Sequence, residues 1–244
     1  MRRLLYALVF LLCLTQEASA SWSVITSVCA GVTDGGDGTT ALTSGTIDTT
    51  GADLLIAFSS AYVGASSITF SDSKSNTWTG LTNTVTNRNS RIWYAFGPTV
   101  GSGHTFTVGG GDGSLFNQAF CVMAVSGKAS GDPFDSQNTN ANSASATITS
   151  GSITPLQSGE LIVSGFSSAA TAASPAVDSG FTLVNSISGS GHDVIGLGYL
   201  IQGAASAVNP TWTTDSAVNN QAAIASFKVS TGVVPIRRRR IIFQ

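Results

Sequence analysis

Charge is scarce in this chain: only 10% of its 244 residues are Asp, Glu, Lys or Arg. Glu occurs twice, as Glu17 and Glu160, and Lys three times, as Lys74, Lys128 and Lys228. Long amphipathic helices draw on Glu, Lys, Arg, Leu and Ala at a 3.6-residue period, so this composition excludes them. Residues 21–236 carry five basic against twelve acidic side chains, a net charge of −7. Nucleic acid needs a basic face, which excludes it as the main ligand. His is nearly absent, at His104 and His192 only. His192 and Asp193 are adjacent, on alternate faces of a strand, so the carboxylate does not orient the imidazole. No G-x-S-x-G elbow is present either, and a Ser hydrolase is not expected. Cys and His are too few and too far apart for zinc. The longest apolar run, Leu4 to Leu14, has eleven residues, too short for a transmembrane anchor.

What the chain has is small and polar. Ser occurs 35 times, Thr 28 and Gly 27, yet the mean hydropathy is +0.25. A disordered chain would be poor in apolar residues and rich in charge. An all-β protein with Gly-Ser turns is the expected class. Met1-Arg2-Arg3, the apolar run and Ala18-Ser19-Ala20 have the order of a secretory signal peptide cleaved after Ala20, so the remainder is expected to be secreted or attached to a cell surface. Cys13 leaves with that leader. Cys29 and Cys121 remain, and in an oxidising compartment they are either a disulfide closing a loop of about 90 residues or two separately buried thiols. The bridge would add about 4–5 kcal/mol by loop entropy.

The sequence repeats itself in order. Thr43-Ser44-Gly45-Thr46-Ile47 recurs as Thr149-Ser150-Gly151-Ser152-Ile153, and Asp53-Leu54-Leu55-Ile56 as Glu160-Leu161-Ile162-Val163. Asp72-Ser73 recurs at Asp178, Thr105-Phe106-Thr107 at Thr211, and Asn117-Gln118-Ala119 at Asn220, the last at an offset of 103 against 106 or 107 for the others. Leu54–Phe58 and Leu161–Phe166 are continuous apolar runs, as in strands buried on both faces. Short strands at about 8–14-residue spacing between Gly-rich turns predict a β-sandwich, jelly-roll or immunoglobulin-like, built from two ~100-residue internal repeats. The expected organisation is a signal peptide at 1–20, the β-sandwich at 21–230 with copies at about 22–125 and 126–229, and a basic tail at 231–244. One compact sandwich with internal pseudo-twofold symmetry is preferred over two tandem ones, because no Pro-rich linker separates the copies.

Thr69-Phe70-Ser71-Asp72-Ser73-Lys74-Ser75-Asn76-Thr77-Trp78-Thr79 resembles the D-S-x-G-N-T-W-T turn and strand of uncharacterised exported β-sandwich proteins from environmental bacteria and phage-like genomes. Pro133-Phe134-Asp135, Gly159-Glu160-Leu161-Ile162-Val163 and Ala223-Ile224-Ala225-Ser226-Phe227-Lys228 fit the same pattern. The resemblance implies fold and export and brings no activity with it. This chain has Ser75 where the pattern has Gly, which weakens the expectation of a left-handed turn there.

Candidate chemistry is thin. A glycosidase needs two carboxylates, and Glu160 is the only Glu after the leader. Asp72 and Asp178 read as turn residues, and neither Asp34–Gly38 nor Asp72-x-Lys74-x-Asn76 completes a Ca²⁺ loop. No metal and no cofactor is expected. The aromatics offer more. Trp78, Trp93 and Tyr94 are candidate ligand platforms, one of the last two being expected on an exposed face by strand alternation, whereas Trp212 matches Phe106 and suggests core. Arg237, Arg238, Arg239 and Arg240 form an electrostatic tail for an anionic surface or a neighbouring subunit. The expected function is an exported, non-catalytic module that binds a surface polysaccharide or adheres. The alternatives are a structural or assembly protein of a cell surface, matrix or virion that self-associates, and a polysaccharide-active enzyme using Glu160.

Overall fold

A computed structural model describes residues 21–32, 41–63, 68–86, 88–110, 115–128, 131–169, 174–188 and 194–230. The leader, Asp34–Gly38, His192, Asp193 and the Arg237–Arg240 tail lie outside them. The described residues hold fifteen strands and no helix: β1 (Ser23–Gly31), β2 (Leu42–Thr43), β3 (Leu54–Val63), β4 (Ile68–Asp72), β5 (Thr79–Gly80), β6 (Thr84–Val85), β7 (Asn89–Phe96), β8 (Phe106–Gly110), β9 (Leu115–Ser126), β10 (Phe134–Thr149), β11 (Leu161–Ser168), β12 (Ala176–Val177), β13 (Thr182–Ile187), β14 (Val194–Ile201) and β15 (Thr211–Phe227). None of the described residues forms a helix long and apolar enough to cross a membrane.

All pairings are antiparallel. One sheet runs β1-β9-β3-β7-β5, with β6 also on β7, and a second runs β10-β15-β11-β14-β13, with β12 also on β15. A small third sheet runs β2-β8-β4. The two large sheets face each other across one apolar layer. Leu54, Ile56, Phe58, Met123 and Val125 enter it from the first sheet and Leu161, Val163, Leu197, Ala225 and Phe227 from the second. The outer face of the first sheet is covered by the third, which packs Phe70, Phe106 and Val108 on Leu55, Trp93 and Phe120. The outer face of the second is covered by the bent-over ends of β10 and β15, which bring Ile148 and Trp212 onto Phe166. The central strands β3 and β11 are therefore apolar on both faces, which is why neither run alternates.

The layers are held by specific contacts. Phe58 lies on Gly165, where an added Cβ would overlap its ring. Cys29 and Cys121 are direct partners on β1 and β9 and are joined by a disulfide, with Cα atoms 4.0 Å apart. At the far end of the inter-sheet layer the Ser90 hydroxyl lies 3.0 Å from that of Ser60 and 2.9 Å from that of Ser167, a polar link between the two sheets.

Candidate functional site

The turn after β4 is organised by one carboxylate. Asp72 Oδ1 accepts the backbone N–H groups of Lys74 (2.8 Å) and Asn76 (3.2 Å). Its Oδ2 accepts Asn76 Nδ2 (3.0 Å) and Trp78 Nε1 (2.8 Å). Burial pushes this carboxyl up, but the donors from Asn76, Trp78 and Lys74 outweigh burial and hold it below the usual range. Ser75 takes the left-handed conformation, φ 59°, so the turn forms despite the missing Gly. Asn76 then reaches across to Thr99, accepting its N–H (2.6 Å) and donating to its carbonyl (3.0 Å).

This bracing leaves a groove of about 330 Å³ between the Asp72 turn and the end of β7, lined by Ser75, Asn76, Thr77, Thr79 and residues Ala95 to Pro98. No lining side chain is ionisable. The amide of Asn76 is consumed internally, whereas Ser75, Thr77 and Thr79 are exposed. Phe96 stands 45% exposed at the groove. It ends an aromatic row that runs into the inter-sheet layer, stacked on Tyr94 (6.4 Å), which stacks on Phe134 (5.9 Å). A half-exposed ring beside three exposed hydroxyl residues, of which Thr79 also bonds the Tyr94 hydroxyl, and no charge suits a neutral ligand with an apolar face.

The expected platforms lie elsewhere. Trp93 and Tyr94 are both buried, at 7% and 3% exposure, which corrects the expectation that one of them is exposed. Alternation sends them to opposite faces, but both faces of that sheet are covered. Trp93 Nε1 donates to Ser59 Oγ (2.8 Å). The Tyr94 hydroxyl donates to Asp132 (3.0 Å), and burial and this carboxylate push its pKa up to about 12. Trp78 falls in the chain between the groove-lining Thr77 and Thr79 but does not line the groove; it is half-buried, its ring edge-on to Phe70 at 4.7 Å. Trp212 is core, donating to Ser164 Oγ (2.8 Å). Phe96 was not singled out in the sequence. Its signal was its place at a strand end before Gly97-Pro98.

The structure also aligns a hydroxyl, an imidazole and a carboxylate. Thr49 Oγ1 lies 2.9 Å from His104 Nδ1, and His104 Nε2 lies 3.5 Å from Asp72 Oδ1. Burial lowers the His104 pKa, partly offset by Asp72. The order resembles a nucleophilic triad, but Thr49 and His104 are both 0% exposed. Thr49 Oγ1 also accepts Gly101 N–H (3.1 Å) and bonds the Gly101 carbonyl (3.2 Å). The line pins the Gly101–His104 turn and meets no substrate.

Glu160 does find a second carboxylate, Asp135. Burial, then the Asp135 charge, raise its pKa. Glu160 Oε1 accepts Gln157 N–H (3.1 Å), while Asp135 Oδ2 accepts Leu156 N–H (3.0 Å) and the Ser226 hydroxyl (3.2 Å). Glu160 is fully buried, so the pair offers no cleft between its carboxylates. Among the described residues no group of three or more His, Cys, Asp or Glu is placed to hold a metal ion. No protein-family model, curated protein or solved structure matches the chain.

Proposed function

We propose that the chain is an exported, non-catalytic β-sandwich module that binds a glycan in the Phe96 groove. The observation that carries this reading is the half-exposed Phe96 ring set among exposed hydroxyls with no ionisable lining. A sugar ring has one apolar face to stack and equatorial hydroxyls to share, and the rigid Asp72 turn supplies a preorganised wall for both. The test is a glycan array followed by calorimetry on the hits. Phe96→Ala is expected to weaken binding by about tenfold or more, the effect of losing an aromatic anchor. Binding that is indifferent to Phe96, or no sugar bound at high micromolar concentration, overturns it.

The same reading takes the chain as two copies of a jelly roll. In the first half the first, ninth, third and seventh strands share a sheet, and the second, eighth and fourth share the other. A jelly roll splits its strands in this way. In the second half β10 and β15 each run through both layers, so that β10-β15-β11-β14 repeats the larger sheet and the bent ends of β10 and β15 with β12 repeat the smaller. Leu54 lies between Phe96 and Val125, and Leu161 between Ile201 and Phe227. Contacts across the sheets come in matching pairs, β1 over β13 with β10 over β6, and β9 over β14 with β15 over β7. Ile201 stands where Phe96 stands in the first half, so the reading gives one aromatic groove per chain.

A further inference from the structure

Most edges of these sheets are short or blocked, and that of β1 is neither. β10 and β13 are the edge strands of the second sheet. On β10 the Asn138 side chain accepts the N–H of Thr139 (2.8 Å) and Asn140 that of Ala141 (2.9 Å). Their amide nitrogens donate to the carbonyls of Ser152 and Thr149, at 3.0 Å each. On β13 Asn185 accepts the N–H of Ser186 (2.9 Å). Elsewhere the edge strands are brief: β2, β5 and β6 have two residues each and β4 has five. Side chains that occupy edge groups, and short edge strands, keep a sheet from pairing with another chain.

β1 is an edge of the first sheet, has nine residues and pairs with β9 alone. It holds no charged residue, no Pro and no Asn. A bulge at Ile25 interrupts its start, and from Thr26 to Gly31 the register is regular. Val32 N–H donates to the Gln118 carbonyl of β9 (3.0 Å), so by alternation Thr26, Val28 and Ala30 also turn their backbone groups to β9. Ser27, Cys29 and Gly31 turn theirs outward, and among the described residues nothing bonds them. The strand is nevertheless held in place. Cys29 is bridged to Cys121, Val24 packs on the inter-sheet layer, and Val28 and Ala30 pack on the outer one. From β13 below, Asn185 Nδ2 donates to the Ser27 hydroxyl (3.4 Å). A fixed edge with open backbone groups at alternate residues is built to receive a strand.

We propose that β1 receives β1 of a second copy of this chain, the two strands pairing antiparallel about a twofold axis so that the first sheets of both molecules join into one. With Cys29 on the axis, Ser27 of each copy faces Gly31 of the other, and every outward group meets its complement. Neither β1 nor β13 beneath it carries a charge, so an acidic or basic peptide gains nothing on this flank, whereas a like-charged copy meets no repulsion in the contact itself. Nine residues span about 30 Å, and two sheets about 10 Å apart with their side chains are about 20 Å deep, which gives about 600 Å² per copy and about 1,200 Å² in all. That is the lower limit of a specific interface, so the dimer is weak and reversible. The Phe96 groove opens at the end of β7, three strands along the sheet, and takes no part in the contact.

Sedimentation and amide hydrogen exchange on residues 21–244, from about 10 μM to about 1 mM, test it. A monomer is expected at the low end and a dimer at the high end. In the dimer the amides of Ser27, Cys29 and Gly31 should exchange about tenfold slower or more, whereas those of Val28 and Ala30, held by β9, should be protected throughout. Ser27→Pro removes one outward donor at an edge position that tolerates Pro, and should raise the dissociation constant about tenfold or more. If that variant does not fold, the exchange pattern of the wild type decides alone. A monomer at every concentration overturns the proposal, and so does a dimer in which the three amides exchange as fast as in the monomer. Protection of the three amides in the monomer means that the edge is covered within the chain, and overturns it too. A chain ending at Ser230 should dimerise equally well; loss of the dimer there gives the edge to residues 231–244 and overturns the pairing of β1 with β1.

Discussion

Glu160 is fully buried, yet its Oε2 has no hydrogen-bond partner. A proton on that oxygen, directed at Asp135, would satisfy it, and burial together with the Asp135 charge raises the pKa in that sense. A carboxyl whose folded pKa lies above its unfolded one stabilises the fold fully below the unfolded value and loses that contribution as pH rises through the folded one. Urea unfolding of the wild type against Glu160→Gln, from about pH 4 upward, should show the variant gaining on the wild type as pH rises. A constant difference across that range removes the proton from the account. The sequence singled out Glu160 as the only Glu after the expected leader without pointing to Asp135, because the two meet only through the pairing of β10, β15 and β11. Exposure was the least legible property at this scale. Trp93 and Tyr94 were candidates by type, but a third sheet and a facing sheet cover them, while Phe96 escapes by ending the strand.

Phe58 and Gly165 show what single strands contribute. Both lie on the central strand of their sheet, β3 and β11, and the ring fills the space that the glycine leaves. Gly165→Ala should destabilise by about 1–3 kcal/mol through overpacking. Phe58→Ala should cost about 3–5 kcal/mol. Because the two share one space, the double variant should cost measurably less than the sum, which denaturant titration of the four proteins would read. Additive costs would mean that the neighbours, not this pair, absorb the strain. β3 and β11 were legible because consecutive apolar residues, Leu54 to Phe58 and Leu161 to Val163, declare burial on both faces. β10 and β15 were not, since a strand that bends from one layer to the next carries two patterns in one segment. The sequence matches and the strand pairings differ in register: Ser60 faces Ala119 and Ser167 faces Gln221, an offset of 102 where the sequence match was 103. A slip of one residue puts Gln118 and Gln221 on opposite faces.

The large apolar layer between the sheets belongs to neither half alone. Ile56→Ala and Val163→Ala, one from each sheet, should each cost about 2–4 kcal/mol and lower one shared calorimetric transition. Residues 21–128 alone would leave Leu54, Ile56, Phe58, Met123 and Val125 facing water, and should not melt cooperatively. Two transitions, or a stable fragment, would give each half its independence. The fit of Phe58 on Gly165 then governs which halves can meet. Two first halves laid face to face would set two rings into room for one, and two second halves would leave a hollow where a ring belongs. Only unlike halves close. One oversized and one undersized side chain would thus act as a rule of mating, steering each half to its own sequel in the chain and away from the same half of a neighbouring molecule.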